Sequence, residues 1–240
     1  MRFLLQKEYG GYESIMVRER SIVDRIPILQ KSIEELTAED VNNSLPVGSV
    51  EFVSRCIELA QIEKPLPESY PDCLSSYLGR NIRPVLFKDR NPEYFIKPVA
   101  VKKFTGGRAS SIGEVVNEDE PCLECEWVSF QSEYRYYIQK GKIIGLGRYD
   151  EGEDNALVPD ARLVSEMALK YFEESKCAAF ALDAGVLENG KTVLVEINDG
   201  WATGFYKGSL NHKQYFDWLS ARWNQLLESS QLSLKKGIKP

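Results

Sequence analysis

Apolar positions along this chain follow two rhythms, and the alternation between them marks out the elements. After Ser49 the residues Phe52, Val53, Cys56, Ile57 and Ala60 recur at helical spacing, with Ser49 placed to cap the first turn. Leu163, Val164, Met167, Tyr171 and Phe172 repeat that spacing and predict a second helix over about 160–176. A third amphipathic helix, over about 213–228, carries Trp218 and Trp223 as core anchors, and the polar stretch 229–240 predicts a frayed tail. Aromatic and β-branched content predicts strands at 2–6, 94–96, 122–130, 134–138 and 142–148. Pro65, Pro67 and Pro71 mark a loop. The texture therefore divides the chain into an N-terminal lobe over 1–91, a strand-rich domain over 92–228 and a flexible tail over 229–240, without internal repeats.

The sharpest turn signal is Asn189-Gly190, which predicts a two-residue type I′ turn because both central positions must take positive φ. Such a turn sets Glu188 opposite Lys191, Val186 opposite Val193, Ala184 opposite Val195 and Asp183 opposite Glu196. Two facing carboxylates repel, so the pair needs a cation or the solvent edge. Asn198, two residues past Glu196, adds a third oxygen on the same face. Three oxygen ligands without thiol or imidazole suit Mg²⁺, which takes its remaining ligands from water and nucleotide phosphates. A triphosphate partner follows. The other reading is a solvated pair of acidic strand residues; against it stand the apolar runs Phe180-Ala181-Leu182 and Val193-Leu194-Val195.

A second hairpin turns at Lys140-Gly141, which aligns Ile138 with Ile143, Arg135 with Leu146 and Glu133 with Arg148. Glu133, Arg135 and Arg148 then share a face, either as a structural ion pair with Arg135 beside it or with surplus guanidinium charge to clamp a phosphoryl oxygen. Upstream, Lys97 ends an apolar strand, and Lys102-Lys103-Phe104-Thr105-Gly106-Gly107-Arg108 sets cations beside a glycine-rich turn. That segment is either an exposed basic loop or a backbone cradle for phosphate, and it lacks the Walker A order.

Composition narrows the function classes. With 43% hydrophobic and 28% charged residues the chain reads as globular, and its net charge of -6 opposes a general nucleic-acid or anionic-membrane binder. No apolar run approaches the roughly 18 residues of a membrane span. Five cysteines without framework spacing, and a start too poor in apolar residues for a signal peptide, predict a reducing, cytoplasmic setting. Cys122-Leu123-Glu124-Cys125 lies in a predicted strand, where positions three apart face opposite ways, so buried thiols are expected there rather than a metal or redox pair.

Taken in order, the Lys97 strand, the Lys103 glycine loop, a linking strand, Glu-x-Arg, then Asp183 followed by Glu-x-Asn resemble the ATP-grasp superfamily over about 94–207. Phe95-Ile96-Lys97-Pro98, Lys103-Phe104-Thr105-Gly106, Ser132-Glu133-Tyr134-Arg135 and Val195-Glu196-Ile197-Asn198-Asp199-Gly200 are most similar to the clade named for one arginine and two lysines. That clade includes the eukaryotic cell-division-cycle assembly factor for translation initiation. The resemblance implies an α+β fold of two lobes gripping ATP, preceded by a small α/β lobe. It also implies that Lys97 and Lys103 contact nucleotide, with Lys102 adjacent, and that the backbone of Glu126-Trp127-Val128 meets adenine, with Glu124 as the alternative hinge carboxylate. Arg135 would hold phosphates, Arg148 would face the acceptor, and Asp183, Glu196 and Asn198 would hold Mg²⁺. The implied activity is an ATP- and Mg²⁺-dependent ligase joining small-molecule or peptide/protein carboxylates to amines through an acylphosphate, which needs no catalytic histidine or cysteine. A kinase-like phosphotransferase and a nucleotide-gated assembly factor are the alternatives, and Trp201 and Tyr206 are either acceptor contacts or packing residues.

Overall fold

The computed structural model describes residues 1–100, 103–113, 115–150 and 157–235. The chain opens with β1 (Arg2–Gln6), α1 (Tyr12–Asp24), β2 (Ile28–Lys31), α2 (Ala38–Val41), β3 (Ser44–Val47) and α3 (Val50–Leu59). These strands form a parallel sheet in the order β2-β1-β3. Its central strand is covered on both faces, and so Phe3, Leu4 and Leu5 are apolar in succession and all buried. Ser49 caps α3 as expected, accepting from the Phe52 N–H at 3.3 Å, and the helix buries Phe52, Val53, Cys56 and Ile57.

Two antiparallel four-stranded sheets follow. The first contains β4 (Ile82–Leu86), β5 (Phe95–Pro98), β6 (Gly107–Arg108) and β7 (Pro121–Cys125) in the order β4-β7-β5-β6. The second contains β8 (Phe130–Gln139), β9 (Lys142–Arg148), β10 (Ala179–Leu187) and β11 (Thr192–Asp199) in the order β11-β10-β8-β9. The single strand expected over 122–130 is thus two strands in different sheets. Its middle, 126–129, is an open link in which Glu126 and Trp127 are exposed; polar and apolar residues there have no common face to bury.

The second sheet is filled from both sides. α4 (Ala161–Ser175) covers one face, burying Val164, Met167 and Tyr171 against Phe180 and Leu182. On the other face α5 (His212–Lys235) brings Trp218 and Trp223 into a core shared with β1, α3, Tyr137 and Ala181. The Trp218 indole N–H donates to the Ile138 carbonyl at 2.7 Å, and its ring meets Tyr137 edge-on. α5 runs to Lys235, seven residues beyond the end expected at Glu228, so residues 229–235 are helical rather than frayed.

The hairpin registers differ from expectation in an instructive way. At Lys140-Gly141 both φ values are positive, 49° and 74°, as a type I′ turn requires. A bulge between Tyr137 and Ile138 then shifts β9 by one residue, so Arg135 faces Gly147 and Arg148 faces Tyr134 instead of Glu133. At Asn189-Gly190 only Gly190 is left-handed (φ 79°), and the Gly190 N–H donates to the Leu187 carbonyl while Leu187 pairs with Lys191. The turn has three residues rather than two, which sets Gly185 opposite Val193 and Ala184 opposite Leu194. A second bulge, between Asp183 and Ala184, absorbs Val195 and restores Asp183 to Glu196. Arg80 settles that bulge by donating to the Leu194 and Val195 carbonyls at 2.9 Å each.

All five cysteines are free, and Cys122 and Cys125 are both buried. Burial pushes the Cys56 and Cys177 thiols up to about 12 and Cys122 up to about 11. Alkylation of the native protein at pH 8 is therefore expected to begin at half-buried Cys73 and to spare these three until the chain unfolds; equal labelling rates by mass spectrometry would contradict that. Trp218→Ala empties a fully buried site in the shared core, with an expected loss of about 3–5 kcal/mol in urea unfolding.

Candidate active site

Three neighbouring strands of the second sheet set a row of charge. Asp183 on β10 lies opposite Arg135 on β8 and opposite Glu196 on β11. Arg135 closes on Asp183 as a two-pronged fork, Nε to Oδ1 at 2.8 Å and Nη2 to Oδ2 at 2.6 Å. The Asn198 amide spans the gap between the carboxylates, Nδ2 standing 3.2 Å from Asp183 Oδ2 and 2.9 Å from Glu196 Oε1. Lys97, at the end of β5 in the first sheet, reaches across to Glu196 Oε2 at 2.6 Å. The repulsion expected between the facing carboxylates is thus met by one cation from each sheet.

Burial and pairing pull against each other along this row. Burial pushes the Asp183 carboxyl up, and the Arg135 fork opposes it. Burial likewise works to raise Glu196, but Lys97 and the Asn198 amide outweigh it and leave the carboxyl below its usual range. For Lys97 itself burial disfavours the charge, while Glu196 overcomes the penalty and holds the ammonium above its ordinary value. Arg135 sits against Tyr206, its guanidinium carbon 5.0 Å from the ring centre, and Tyr206 stacks on Tyr149 at 5.4 Å.

A cleft of about 960 Å³ opens between the sheets, and Lys97, Glu196 and Asn198 line it together with Glu126, Trp127 and Val128 of the link. One of the two expected nucleotide lysines, the expected hinge and two of three expected metal ligands therefore share one cavity, and Lys103 is not among its lining residues. Neither Asp183 nor Arg135 lines the cleft; Asn198, which does, contacts Asp183 from it. Lys103 is exposed, and Lys102 lies outside the described residues. The alternative hinge carboxylate, Glu124, is fully buried and bound to Arg83 Nε at 2.8 Å and to the Asn91 N–H at 2.9 Å, which makes it a structural group. Arg148 does not share a face with Glu133 and Arg135: the shifted register turns it to the Tyr134 side, where its Nη2 meets Asp150 at 2.7 Å. Glu133 instead accepts from the Tyr149 hydroxyl at 2.9 Å. Trp201 is buried at the cleft wall beneath Lys64, whose ammonium is 5.4 Å from the ring centre.

The donor set fits a small divalent ion. Among the described residues no group of three or more His, Cys, Asp or Glu is assembled for a metal; at this row two carboxylates meet one amide. Asp183 Oδ2 and Glu196 Oε1 converge on a single atom of Asn198. Rotation of that amide would present a third hard oxygen at the same place.

Sequence patterns gave no warning of several contributors. Ser69 accepts from Lys97 Nζ at 3.0 Å, and Tyr70 lies beside the same ammonium, yet both sit in a proline loop without periodicity. Arg80 belongs to no sequence motif, and its role depends on a bulge that only the folded register reveals.

Residues 77–218 match the model of the ATP-grasp domain, R2K clade family 2. This chain belongs to that family. No curated protein matches it. Among solved structures, D-alanine–D-alanine ligase from Bacillus anthracis in complex with ATP has 14% identity, with 98% of this chain and 99% of that chain covered and a TM-score of 0.54. D-cycloserine synthetase DcsG has 12% identity, covering 90% and 98%, at a TM-score of 0.56. A RimK domain ATP-grasp protein from Sphaerobacter thermophilus has 13% identity, covering 95% and 100%, at 0.52. At such identities the likeness shows a shared ATP-grasp fold; in this chain residues 126–129 connect the two four-stranded sheets.

Within this ATP-grasp site the Arg135–Asp183 fork predicts a specific energetic pattern. Arg135→Met leaves a carboxylate that is 1% exposed without its partner, with an expected loss of about 3–5 kcal/mol. The double variant Arg135→Met/Asp183→Leu removes both charges and is expected to be more stable than the single one by chemical denaturation; an equal or larger loss would show that the pair is not balanced by charge.

Proposed function

We propose that this ATP-grasp protein is an ADP-forming, Mg²⁺-dependent ligase that joins a carboxylate to an amine through an acylphosphate. The supporting observation is that a single cleft is lined both by the link 126–128 and by the Lys97, Glu196 and Asn198 side chains. In this reading the backbone of Glu126, Trp127 and Val128 holds the base of ATP, while Lys97 and Lys103 steady its phosphates. Arg135 supplies positive charge next to the transferred group. Asp183, Glu196 and Asn198 hold Mg²⁺, which when bound neutralises the phosphate oxygens. The substrate carboxylate takes the γ-phosphoryl group and ADP leaves; the amine then displaces inorganic phosphate to form the amide. Positioning and charge neutralisation carry such chemistry, which agrees with a cleft lined without histidine.

The fold of the ligases compared above supports this reaction class, and the substrates are small-molecule or peptide carboxylates and amines in a reducing, cytoplasmic setting. No helix among the described residues is long and apolar enough to cross a membrane.

Pooled carboxylates and amines, screened for ATP-dependent ADP release with mass analysis of the product, test the reaction. An amide supports ligation, whereas a phosphorylated acceptor without condensation would replace it with phosphotransfer. Glu196→Gln is expected to weaken Mg²⁺-ATP binding by about tenfold or more, roughly 1.4 kcal/mol, in calorimetry, with an unchanged circular dichroism spectrum. Equal affinity in that variant would remove Glu196 from the site.

A further inference from the structure

Glu196 meets the cleft with both oxygens engaged: Lys97 Nζ stands 2.6 Å from Oε2, and the Asn198 amide nitrogen 2.9 Å from Oε1. Lys97 is not held there by charge alone. Its ammonium also donates to Ser69 Oγ at 3.0 Å and lies 5.2 Å from the centre of the Tyr70 ring. Ser69 and Tyr70 belong to a strap over residues 64–71 that contains Pro65, Pro67 and Pro71, whose fixed φ values stiffen it. The strap is fastened to β11 at the residue between Glu196 and Asn198, where the Ile197 N–H donates to the Ser69 carbonyl at 2.9 Å. Strap, first sheet and second sheet therefore converge on one carboxylate.

The charges make this convergence consequential. Arg135 and Lys97 balance Asp183 and Glu196, so the cleft row is neutral as it stands. A divalent ion entering alone would face an ammonium beside the oxygen it requires. A nucleotide entering alone would bring its negative charge towards Glu196 while Lys97 is still committed to it. When both enter, phosphate can accept Lys97 as Glu196 is released, and neither charge is left unpaired.

We propose that Lys97 is a latch on Glu196, rested in place by Ser69, which makes divalent metal and nucleotide bind as mutually dependent partners. The inference rests on the reading of Glu196 as a metal ligand. Ser69 is in this sense a positioning residue: it acts through Lys97.

The test is Mn²⁺ titration of the full chain, followed by electron paramagnetic resonance, with and without ADP. In the wild type, ADP is expected to tighten Mn²⁺ binding by about tenfold or more, within the usual range of coupling between sites. Lys97→Met is expected to bind Mn²⁺ alone about tenfold more tightly than the wild type does, and to lose most of the tightening by ADP. Ser69→Ala keeps the ammonium and loosens its rest position, so it moves in the same direction by less; it also serves if Lys97→Met does not fold, as judged by circular dichroism and thermal melting. The latch is overturned if folded Lys97→Met, or Ser69→Ala in its place, gains no affinity for Mn²⁺ in the absence of ADP. Should the wild type bind no Mn²⁺ even with ADP, the metal reading of Glu196 falls as well; Mn²⁺ binding with ADP, but without any gain in the variants, overturns the latch alone.

Discussion

The site depends on one electrostatic constraint: two carboxylates brought face to face on neighbouring strands, Asp183 and Glu196, must be neutralised without leaving the sheet. Water cannot do this for Asp183, which is buried. The fold answers with Arg135 from the adjacent strand and Lys97 from the other sheet. The first pairing is bidentate and made between neighbouring strands. The second is made across the cleft by a single ammonium on a flexible stem, which is the kind of contact that can be exchanged for another anion. The two carboxylates thus have different fates built into their partners: Asp183 is fixed by its fork, and Glu196 is held by a group that can leave.

Backbone irregularities make this row possible. A three-residue turn at Glu188–Gly190 would by itself carry β11 out of step, and the bulge at Val195 brings Glu196 back opposite Asp183. Because side chains alternate faces, a one-residue slip would have sent Glu196 to the α4 side, into a core of Phe180, Leu182 and Ile197. Arg80 satisfies the carbonyls that the bulge exposes, and its guanidinium lies 5.8 Å from Tyr70 and 5.9 Å from Phe130. The same residue therefore links the bulge to the strap that holds Lys97 and to the strand that follows the 126–129 link.

Much of the architecture was legible in the order of residues, for reasons that are physical rather than statistical. Helix α4 was readable because it buries one continuous face and begins at the Asp160 cap, and strand β9 because the positive-φ turn at Lys140-Gly141 starts it. The facing of Asp183 and Glu196 was also legible, but through two deviations that cancel: a turn one residue longer than Asn-Gly favours and a bulge of one residue. The second hairpin had only the bulge, so there the inferred Glu133–Arg148 contact gave way to Arg148–Asp150. Bulges leave no periodic mark, and neither do strap residues such as Ser69, whose roles exist only once distant segments meet. The break at 126–129 was missed because its residues favour strand locally, while the decision to end β7 belongs to the geometry of two sheets.

That break bears on how the molecule would work. The link 126–129 joins the sheet that carries Lys97 to the sheet that carries Glu196, and it lines the cleft that separates them. The Lys97–Glu196 contact and the strap bridge the same two sheets. An ionic contact of this kind constrains the relative position of the sheets as well as the charge of the site. Replacing it with a bound polyanion would exchange a direct bridge of 2.6 Å for a longer one running through the ligand. The two side chains that balance the charge at Glu196 thus also tie the two sheets to each other.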